Sequence, residues 1–321
     1  MESRMVKKKK IAVVVPAYQE ELLIGRVIET MPGFVDKIVV VDDCSADKTA
    51  EIVEGYAKRK PKKVVLIRHE INQGVGGAIA SGYKWCRDHD IDIAVVMAGD
   101  AQMDPDDLPA VIEPILADRA DYSKGNRLVT GDAWNTIPKI RYLGNSALSL
   151  LTKIASGYWH IADSQTGYTA INKKALHLID WDKMYKRYGQ PNDLLVRLNI
   201  YSLRVSDVMV KPVYNIGEKS GIRPFRIMPK LALLMFKLFL FRMVQKYIIR
   251  DFHPLVLFYL TGFFFFVLDA LFLFRFFRLW MLQGAVPEIT MLLIVFCSFS
   301  SLLFVLFAML FDMEYNLSLK G

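Results

Sequence analysis

The chain has 321 residues and a net charge of +8, and 53% of its residues are hydrophobic. This length exceeds one small domain and accommodates one sizeable domain with an appendage. The three cysteines, Cys44, Cys86 and Cys297, have no metal-ligand spacing and fit a reducing compartment without a disulfide framework. The apolar run Ile11–Val15 after the basic N-terminus is too short for a signal-peptide core, so we expect the first domain to stay in the cytosol.

Short, apolar, β-branched runs recur along the first third of the chain: Ile11–Val15, Lys37–Val41, Lys63–Ile67 and Ile91–Met97. Runs of this kind are typical of strands buried on both faces of a parallel sheet. Helix-like stretches separate them: Glu20–Met31, Asp47–Lys60 and about Gly76–Asp88. The alternation predicts an α/β domain with a mostly parallel sheet, and ligands of such sheets bind beyond the carboxyl ends of the strands.

Polar residues cluster at those strand ends, in the segments Pro16–Glu20, Asp42–Ser45 and Gly99–Gln102. The first strand is not followed by the glycine-rich turn of a dinucleotide-binding fold, which argues against a dehydrogenase. The glycines of Gly74–Gly77 precede a helix and form a weak phosphate-nest motif. A plain tight turn is the favoured interpretation of that segment.

Asp100 and Gln102 follow the fourth predicted strand and present two oxygens on one side of an extended segment. Such hard oxygen ligands suit Mg²⁺ or Mn²⁺, which keep several waters and bridge substrate phosphates. A surface turn explains the same spacing equally well. The sequence therefore predicts a divalent-metal site here with an ordinary turn as the alternative.

The charge excess is concentrated between Lys211 and Asp251, where nine basic residues stand against two acidic ones. A basic block directly before an apolar tail indicates attraction to anionic lipid headgroups rather than to nucleic acid. Lys230 and Lys237 share one helical face, whereas Arg242, Lys246 and Arg250 share another. This distribution predicts two successive amphipathic helices at a membrane surface, with a solvated basic face as the alternative.

Two long apolar stretches follow, Phe252–Phe274 and Ile289–Phe311. Each is long enough to cross a hydrocarbon core of about 30 Å, which requires roughly 20 residues. Two spans put both termini on one side, and the preceding basic belt places that side in the cytoplasm. We therefore predict an integral membrane protein with three parts: residues 1–222, the interface helices at 223–251, and the two spans at 252–321.

Five motifs occur in the order seen in family 2 glycosyltransferases: Val13–Glu20, Val39–Ser45, Asn72–Gly77, Gly99–Gln102 and Lys124–Arg127. Within that family the chain resembles the polyprenyl-phosphate and dolichyl-phosphate sugar synthases over about residues 10 to 222. The resemblance implies a GT-A fold and transfer of one sugar from a nucleotide-sugar, UDP- or GDP-linked, to a lipid-linked phosphate. Membrane lipids are then partners and nucleic acid is not.

The resemblance also implies roles for individual residues. The residues implied to bind the nucleotide-sugar are Pro16, Tyr18, Glu20, Asp42, Asp43 and Lys219, the last in a mobile loop at Gly217–Ser220. Asp100 and Gln102 match the family's metal-binding pattern, although Ala98 replaces its first Asp. The residues implied to face the acceptor phosphate are Arg127, Arg141 and Asn145.

The implied mechanism is inverting and needs no general base, because a lipid monophosphate is already anionic at neutral pH. Arg127 would hold the acceptor, and Asp100 and Gln102 would act through the metal ion. Asp163 lies in a turn that resembles one beside the acceptor. Asp163, or Asp193 at the position of a general base in some relatives, would orient sugar hydroxyls, with a structural role equally open for each.

Two further functions remain as alternatives. A processive polysaccharide synthase of the same broad family would carry a Gln-x-x-Arg-Trp motif and a channel of many helices. The sequence has neither. A non-catalytic membrane scaffold with a degenerate transferase domain is supported only by Ala98. The sugar, the nucleotide base, the prenyl length and whether the chain forms a homo-oligomer stay open.

Overall fold

The computed structural model describes residues 9–128, 139–211, 224–284 and 287–321, without the side chains of 140–143, 145, 224–227 and 283. The chain divides into two compact units, one of residues 1–240 with 318–321 and one of residues 241–317. The division falls after Leu240, whereas the sequence predicted the end of the first part at residue 222. The helix that crosses this boundary belongs for most of its length to the first unit.

Seven strands form the sheet of the first unit: β1 (Ile11–Ala17), β2 (Lys37–Asp42), β3 (Val64–Arg68), β4 (Ile93–Val96), β5 (Tyr122–Asn126), β6 (Thr169–Asn172) and β7 (Val205–Met209). Their order is β3-β2-β1-β4-β6-β5-β7, and only β6 runs antiparallel to its neighbours. Every residue of β1 and β4 is buried, as expected of central strands covered on both faces. The predicted α/β architecture and its first four strands are confirmed.

Seven helices within the described ranges flank the sheet: α1 (Ile24–Glu29), α2 (Thr49–Arg59), α3 (Val75–Asp88), α4 (Leu108–Leu116), α5 (Lys139–Ser156), α6 (Lys173–Leu178) and α7 (Gln190–Ile200). Alternate residues of β1 pack into two apolar clusters on opposite sides of the sheet. Helix α3 lies so close to β1 that a Cβ on Gly82 would stand 2.2 Å from a methyl carbon of Val14. Close packing of this kind holds the N-terminus of α3 near the carboxyl edge of the sheet.

Strand β5 has no apolar pattern, which explains why the sequence did not predict it. All five of its residues are buried, among them Ser123, Lys124 and Asn126. Each of these three side chains makes a hydrogen bond: Ser123 to the Val111 carbonyl, the others within the site described below. A buried polar strand is stable when its groups are paired, and hydropathy does not reveal the pairing.

Helix α8 (Pro224–Val244) continues directly as a π-helix, Gln245–Arg250. The prediction of two successive helices is therefore wrong. A π-turn is wider than an α-turn and rotates the following side chains about the axis, so the basic residues change face without a break. On the first-unit part of α8, Leu231, Met235 and Leu238 pack against α5 and α7.

The second unit is built on two long apolar helices, α9 (Leu255–Gln283) and α10 (Glu288–Tyr315). Both are long and apolar enough to cross a membrane, and only 17% and 11% of their most apolar windows are buried. Asp269 of α9 accepts a hydrogen bond from Ser298 of α10, a polar contact between the two apolar helices. The helix α9 extends beyond Phe274, the predicted end of the first apolar stretch, to Gln283.

A buried polar cluster joins the start of this unit to the end of α10. The Arg242 guanidinium donates to both carboxylate oxygens of Asp312, at 2.7 and 2.9 Å, and both residues are fully buried. Tyr247 also donates to Asp312, and Lys246 donates to the Asn316 amide oxygen at 2.7 Å. Arg242 and Lys246 were predicted to face lipid headgroups; their burial in this cluster corrects that prediction.

Replacing Asp312 with Ala should leave the Arg242 charge buried and unpaired. We expect the change to cost about 3–5 kcal/mol of stability, seen as a lower melting temperature in detergent. The double variant Arg242→Met/Asp312→Leu should recover much of the loss, because it removes both charges of the pair and leaves neither without its partner. Glu314→Ala, an exposed carboxylate of the same helix, is the control. Equal melting temperatures for Asp312→Ala and Glu314→Ala would contradict a stabilising role for the ion pair.

Candidate active site

The carboxyl ends of β1, β2 and β4 border a cleft of about 770 Å³ in the first unit. The described residues that line it include Pro16, Tyr18, Glu20 and Asp43, all predicted to bind a nucleotide-sugar, and the predicted metal ligand Asp100. Because β2 and β4 both run parallel to β1, their carboxyl ends meet at one edge. The sheet therefore brings these residues together across three separate motifs.

The two carboxylates at the end of β2 have different surroundings. Asp43 lines the cleft and accepts hydrogen bonds from the backbone N–H groups of Gln73 and Gly74, at 2.8 and 2.7 Å. The Nδ1 atom of His69 lies 2.7 Å from the same carboxylate. Asp42 is 1% exposed and is not among the described residues lining the cleft. The Asp43 carboxylate thus binds the N–H groups of the turn after β3. The segment Gly74–Gly77 is therefore a tight turn, as the sequence favoured.

Three non-glycine residues at this edge adopt left-handed backbone conformations. Gln19 after β1, Cys44 after β2 and Ala101 after β4 have φ angles of 57°, 62° and 56°. Such residues cost free energy and persist where the surrounding structure holds them, commonly at functional sites. All three loops that border the cleft therefore carry local strain.

Carboxylates are crowded around Glu20 in the cleft. Burial, together with the negative charges of the neighbouring carboxylates Asp100 and Asp47, raises the pKa of Glu20 to about 7. The Oδ1 atom of Asp100 accepts the Gln102 backbone N–H at 3.1 Å, which fixes the turn between the two predicted metal ligands. The Gln102 side-chain nitrogen is buried and has no hydrogen-bond partner among the described residues.

These residues fit a weakly held divalent cation better than a preformed metal centre. No group of three His, Cys, Asp or Glu side chains that could hold a metal ion occurs in the described parts of the chain. One carboxylate and one amide are the kind of set that binds Mg²⁺ or Mn²⁺ together with water and substrate phosphates. A cation at this place would also offset the crowding of Glu20, Asp47 and Asp100.

The predicted acceptor residues Arg127 and Asp163 form an ion pair. Arg127 Nε lies 2.8 Å from Asp163 Oδ2, and Arg127 Nη2 lies 3.3 Å from Oδ1. The Asp163 side chain is fully buried, whereas that of Arg127 is 24% exposed. Burial opposes ionisation of Asp163, but the charge and hydrogen bonds of Arg127 hold its pKa below the usual range. The carboxylate therefore fixes the guanidinium at the end of β5.

Beside this pair lie two buried ionisable residues for which the sequence predicted no role. Lys124 donates to the Thr166 carbonyl, and burial lowers the pKa of its amine to about 8. Asp207 on β7 accepts hydrogen bonds from the Asn126 side-chain amide and the Ala162 backbone N–H, and burial raises the pKa of its carboxyl to about 6. Lys124 lies within a recognised motif, whereas a single Asp within a short strand gives no comparable signal.

The acceptor cluster, which we define as Lys124, Arg127, Asp163 and Asp207, adjoins the loop that follows β4. A Cβ on Gly167 would stand 3.2 Å from the Met103 Cε atom. Nearby, the Tyr168 hydroxyl donates to a backbone carbonyl of the same loop at 3.0 Å. The loop that carries Asp100 therefore packs directly on the turn that carries Asp163.

The remaining predicted residues fall into two groups. Arg141 and Asn145 belong to α5, but their side chains lie outside the described residues, as does the whole of Lys219 with the loop at 217–220. Asp193 is described and has a packing role: its carboxylate accepts the Tyr185 backbone N–H at 2.7 Å and the Arg197 Nε at 2.9 Å. These contacts favour a structural role for Asp193 over one in orienting sugar hydroxyls.

The chain matches the model of glycosyl transferase family 2 over residues 12–179. It is 33% identical over 218 residues to the UDP-N-acetylglucosamine–dolichyl-phosphate N-acetylglucosaminyltransferase of Methanococcus voltae, covering 64% of this chain and 86% of that protein. It is 30% identical over 206 residues to the undecaprenyl-phosphate mannosyltransferase of Micrococcus luteus, covering 63% of this chain and 82% of that protein.

Among solved structures, the fold resembles glucosyl-3-phosphoglycerate synthase from Mycobacterium tuberculosis in complex with Mn²⁺, UDP and its product, with a TM-score of 0.52 and 21% identity. The alignment covers 75% of this chain and 84% of that one. Fold and cleft together define a GT-A glycosyltransferase. The chain belongs to glycosyltransferase family 2.

The raised pKa of Asp207 predicts a specific pH dependence of stability. The folded chain holds this proton more tightly than the unfolded chain, so stability conferred by Asp207 decreases as the pH rises from about 4 to about 6. Asp207→Asn should therefore gain up to about 3 kcal/mol relative to the unaltered protein across that window. Thermal melting of both proteins at several pH values measures the gap, with exposed Asp106→Asn as control. A gap that does not change with pH would contradict the assignment.

Proposed function

We propose that this glycosyltransferase moves a single sugar from a nucleotide-sugar to a dolichyl or polyprenyl phosphate at a membrane surface. The names of the relatives from M. voltae and M. luteus support this acceptor class, and the former supports a UDP-linked donor. The observation that carries the proposal is the acceptor cluster. Its Arg127 guanidinium is paired with Asp163, whose turn packs against the loop that carries Asp100. A phosphate acceptor requires such a group and a neutral acceptor does not.

Arg127 is the proposed contact of the acceptor phosphate. Its partial exposure leaves it accessible, and the ion pair with Asp163 fixes its orientation before a ligand arrives. A guanidinium can grip a phosphate with two parallel hydrogen bonds. Asp163 is ionised and enclosed by hydrogen bonds, so we assign it to orienting Arg127 rather than to proton transfer.

Asp100 and Gln102 are the proposed ligands of Mg²⁺ or Mn²⁺, and the bound ion supplies charge neutralisation for the departing nucleoside diphosphate. The unpaired amide nitrogen of Gln102 supports the assignment, because turning the amide over would present its oxygen at the same place. Ala98 replaces the first Asp of the family pattern. Water or another side chain would supply the ligand that this Asp provides in the family pattern.

The chemistry follows from the charge of the acceptor. A lipid monophosphate is anionic at neutral pH, with a second pKa near 6, so no residue needs to remove a proton. The protein positions that oxygen in line with the anomeric carbon. Direct in-line attack inverts the configuration of the anomeric carbon. Pro16 and Tyr18 provide the wall of the cleft against which the nucleoside lies.

The second unit and α8 are the proposed membrane attachment. Two membrane-spanning helices, α9 and α10, would put the segments before and after them on the same side of the bilayer. Lys230 and Lys237 are exposed on α8, as is the apolar side chain of Leu233. An exposed mixture of basic and apolar side chains suits the cytoplasmic face of a bilayer.

Transfer to a lipid is tested directly by incubating the membrane-bound enzyme with polyprenyl phosphate, Mg²⁺ or Mn²⁺ and radiolabelled UDP-N-acetylglucosamine, UDP-glucose or GDP-mannose. We expect one labelled sugar per lipid in the organic phase with a UDP-sugar, and loss of the product with EDTA. Asp100→Ala should lower the rate by orders of magnitude, with the exposed Asp106→Ala as control. Label in a polymer would favour a processive synthase, and no label with any donor would favour a scaffold.

Arg127 tests the acceptor assignment separately. Arg127→Ala should reduce transfer roughly 30- to 1000-fold, the equivalent of about 2–4 kcal/mol, while Arg127→Lys recovers only part of the loss. Because the contact is with the acceptor, UDP binding measured by calorimetry should barely change. If Arg127 only holds the loop through Asp163, both variants should melt at lower temperature and weaken donor and acceptor alike. Unchanged transfer in Arg127→Ala would remove the residue from the site.

A further inference from the structure

The donor cleft has a charge imbalance that a nucleotide-sugar makes worse. The described residues lining it include five carboxylates: Glu20, Glu21, Asp43, Asp47 and Asp100. Arg187 is the one basic residue among them. A nucleoside diphosphate adds further negative charge, and like charges repel strongly in a partly buried cleft. A guanidinium placed at this cleft is therefore a candidate contact for the donor.

The segment that carries Arg187 is fastened on two sides. Its Lys186 carbonyl accepts the backbone N–H groups of Gly76 and Gly77 at the start of α3, at 3.0 and 3.2 Å. On the other side, the Tyr185 N–H donates to Asp193 at 2.7 Å. Each of these contacts involves backbone atoms, so the position of the segment does not depend on the Arg187 side chain.

Two glycines permit this close approach. A Cβ on Gly76 would stand 2.3 Å from the Tyr185 carbonyl oxygen, and one on Gly74 would stand 2.6 Å from the Lys186 carbonyl oxygen. The same Cβ on Gly74 would be 3.1 Å from the Arg187 Cδ atom. The aliphatic stem of Arg187 therefore lies across the turn whose N–H groups hold Asp43. Arg187 is exposed and has no ion pair within the described ranges.

We propose that Arg187 is a donor-binding residue whose guanidinium contacts the diphosphate of the nucleotide-sugar. The inference rests on the proposed function only in taking the donor to be a nucleotide-sugar. The diphosphate is the anionic part of that donor, and a guanidinium matches phosphate oxygens in charge and geometry. Backbone anchoring on α3 and α7 holds the residue in place before the donor binds, which reduces the entropy lost on binding.

The test is binding of UDP and of uridine to the full chain in detergent with Mg²⁺ present. Arg187→Ala should weaken UDP binding about 10- to 100-fold by calorimetry, the range for a charge-assisted contact. Arg187→Lys should recover part of the affinity. Uridine binding, followed by NMR titration, should stay unchanged. Lys186→Ala is the control, because its amine pairs with Gln73 and Lys186 is not among the residues lining the cleft.

Unchanged UDP affinity in Arg187→Ala would overturn the proposal, and so would equal weakening of UDP and uridine, which indicates a contact with the nucleoside. The exposed position of Arg187 predicts melting temperatures equal to that of the unaltered protein. A lower melting temperature together with weakened uridine binding would also overturn the proposal. If UDP binding depends on Arg187 but no labelled lipid forms, the proposed acceptor is wrong and the donor assignment stands.

Discussion

The concentration of negative charge at the carboxyl edge of the sheet is the constraint on which the rest of the site depends. Parallel pairing of β1 with β2 and β4 brings three strand ends together, and carboxylates lie close to each of these ends. The raised pKa of Glu20 is the local consequence of that crowding. An anionic donor can occupy such a cleft only when cations accompany it. The proposed metal ion and the proposed contact of Arg187 would both meet this electrostatic demand.

The same topology explains which parts of the fold the sequence predicted. Strands β1, β2 and β4 are continuous apolar runs because both their faces are covered. The edge strand β3 is only partly buried but is also an apolar run, so hydropathy alone identifies all four. Strand β5 is equally buried but is polar, with Lys124 at its centre. Its stability comes from partners that are distant in sequence, such as the Thr166 carbonyl. The periodicity of hydrophobic residues contains no information on hydrogen bonds between residues so far apart in sequence. Strand β5 could therefore not be predicted.

The residues of the site also divide into those that the sequence could identify and those that it could not. Pro16, Tyr18 and Asp100 could be placed because they directly follow predicted strands, where the fold class puts ligands. Asp207 and Arg187 could not, since one lies within a short strand and the other in a segment held on α3 by backbone contacts. The family resemblance implied acceptor roles for Arg127 and Asp163. That they form an ion pair became visible only in three dimensions.

In the membrane part, charge composition was a poor guide to what each charge does. The basic belt suggested one electrostatic surface, yet Arg242 and Lys246 are buried with Asp312 and Asn316. Of the predicted basic residues on α8, Lys230 and Lys237 are the described ones that keep exposed positions in the first unit. Attraction to anionic lipid therefore has fewer charges to draw on than composition implies. If α9 and α10 form the proposed membrane attachment, burial of their apolar surface would supply most of its free energy, and that term does not weaken with salt.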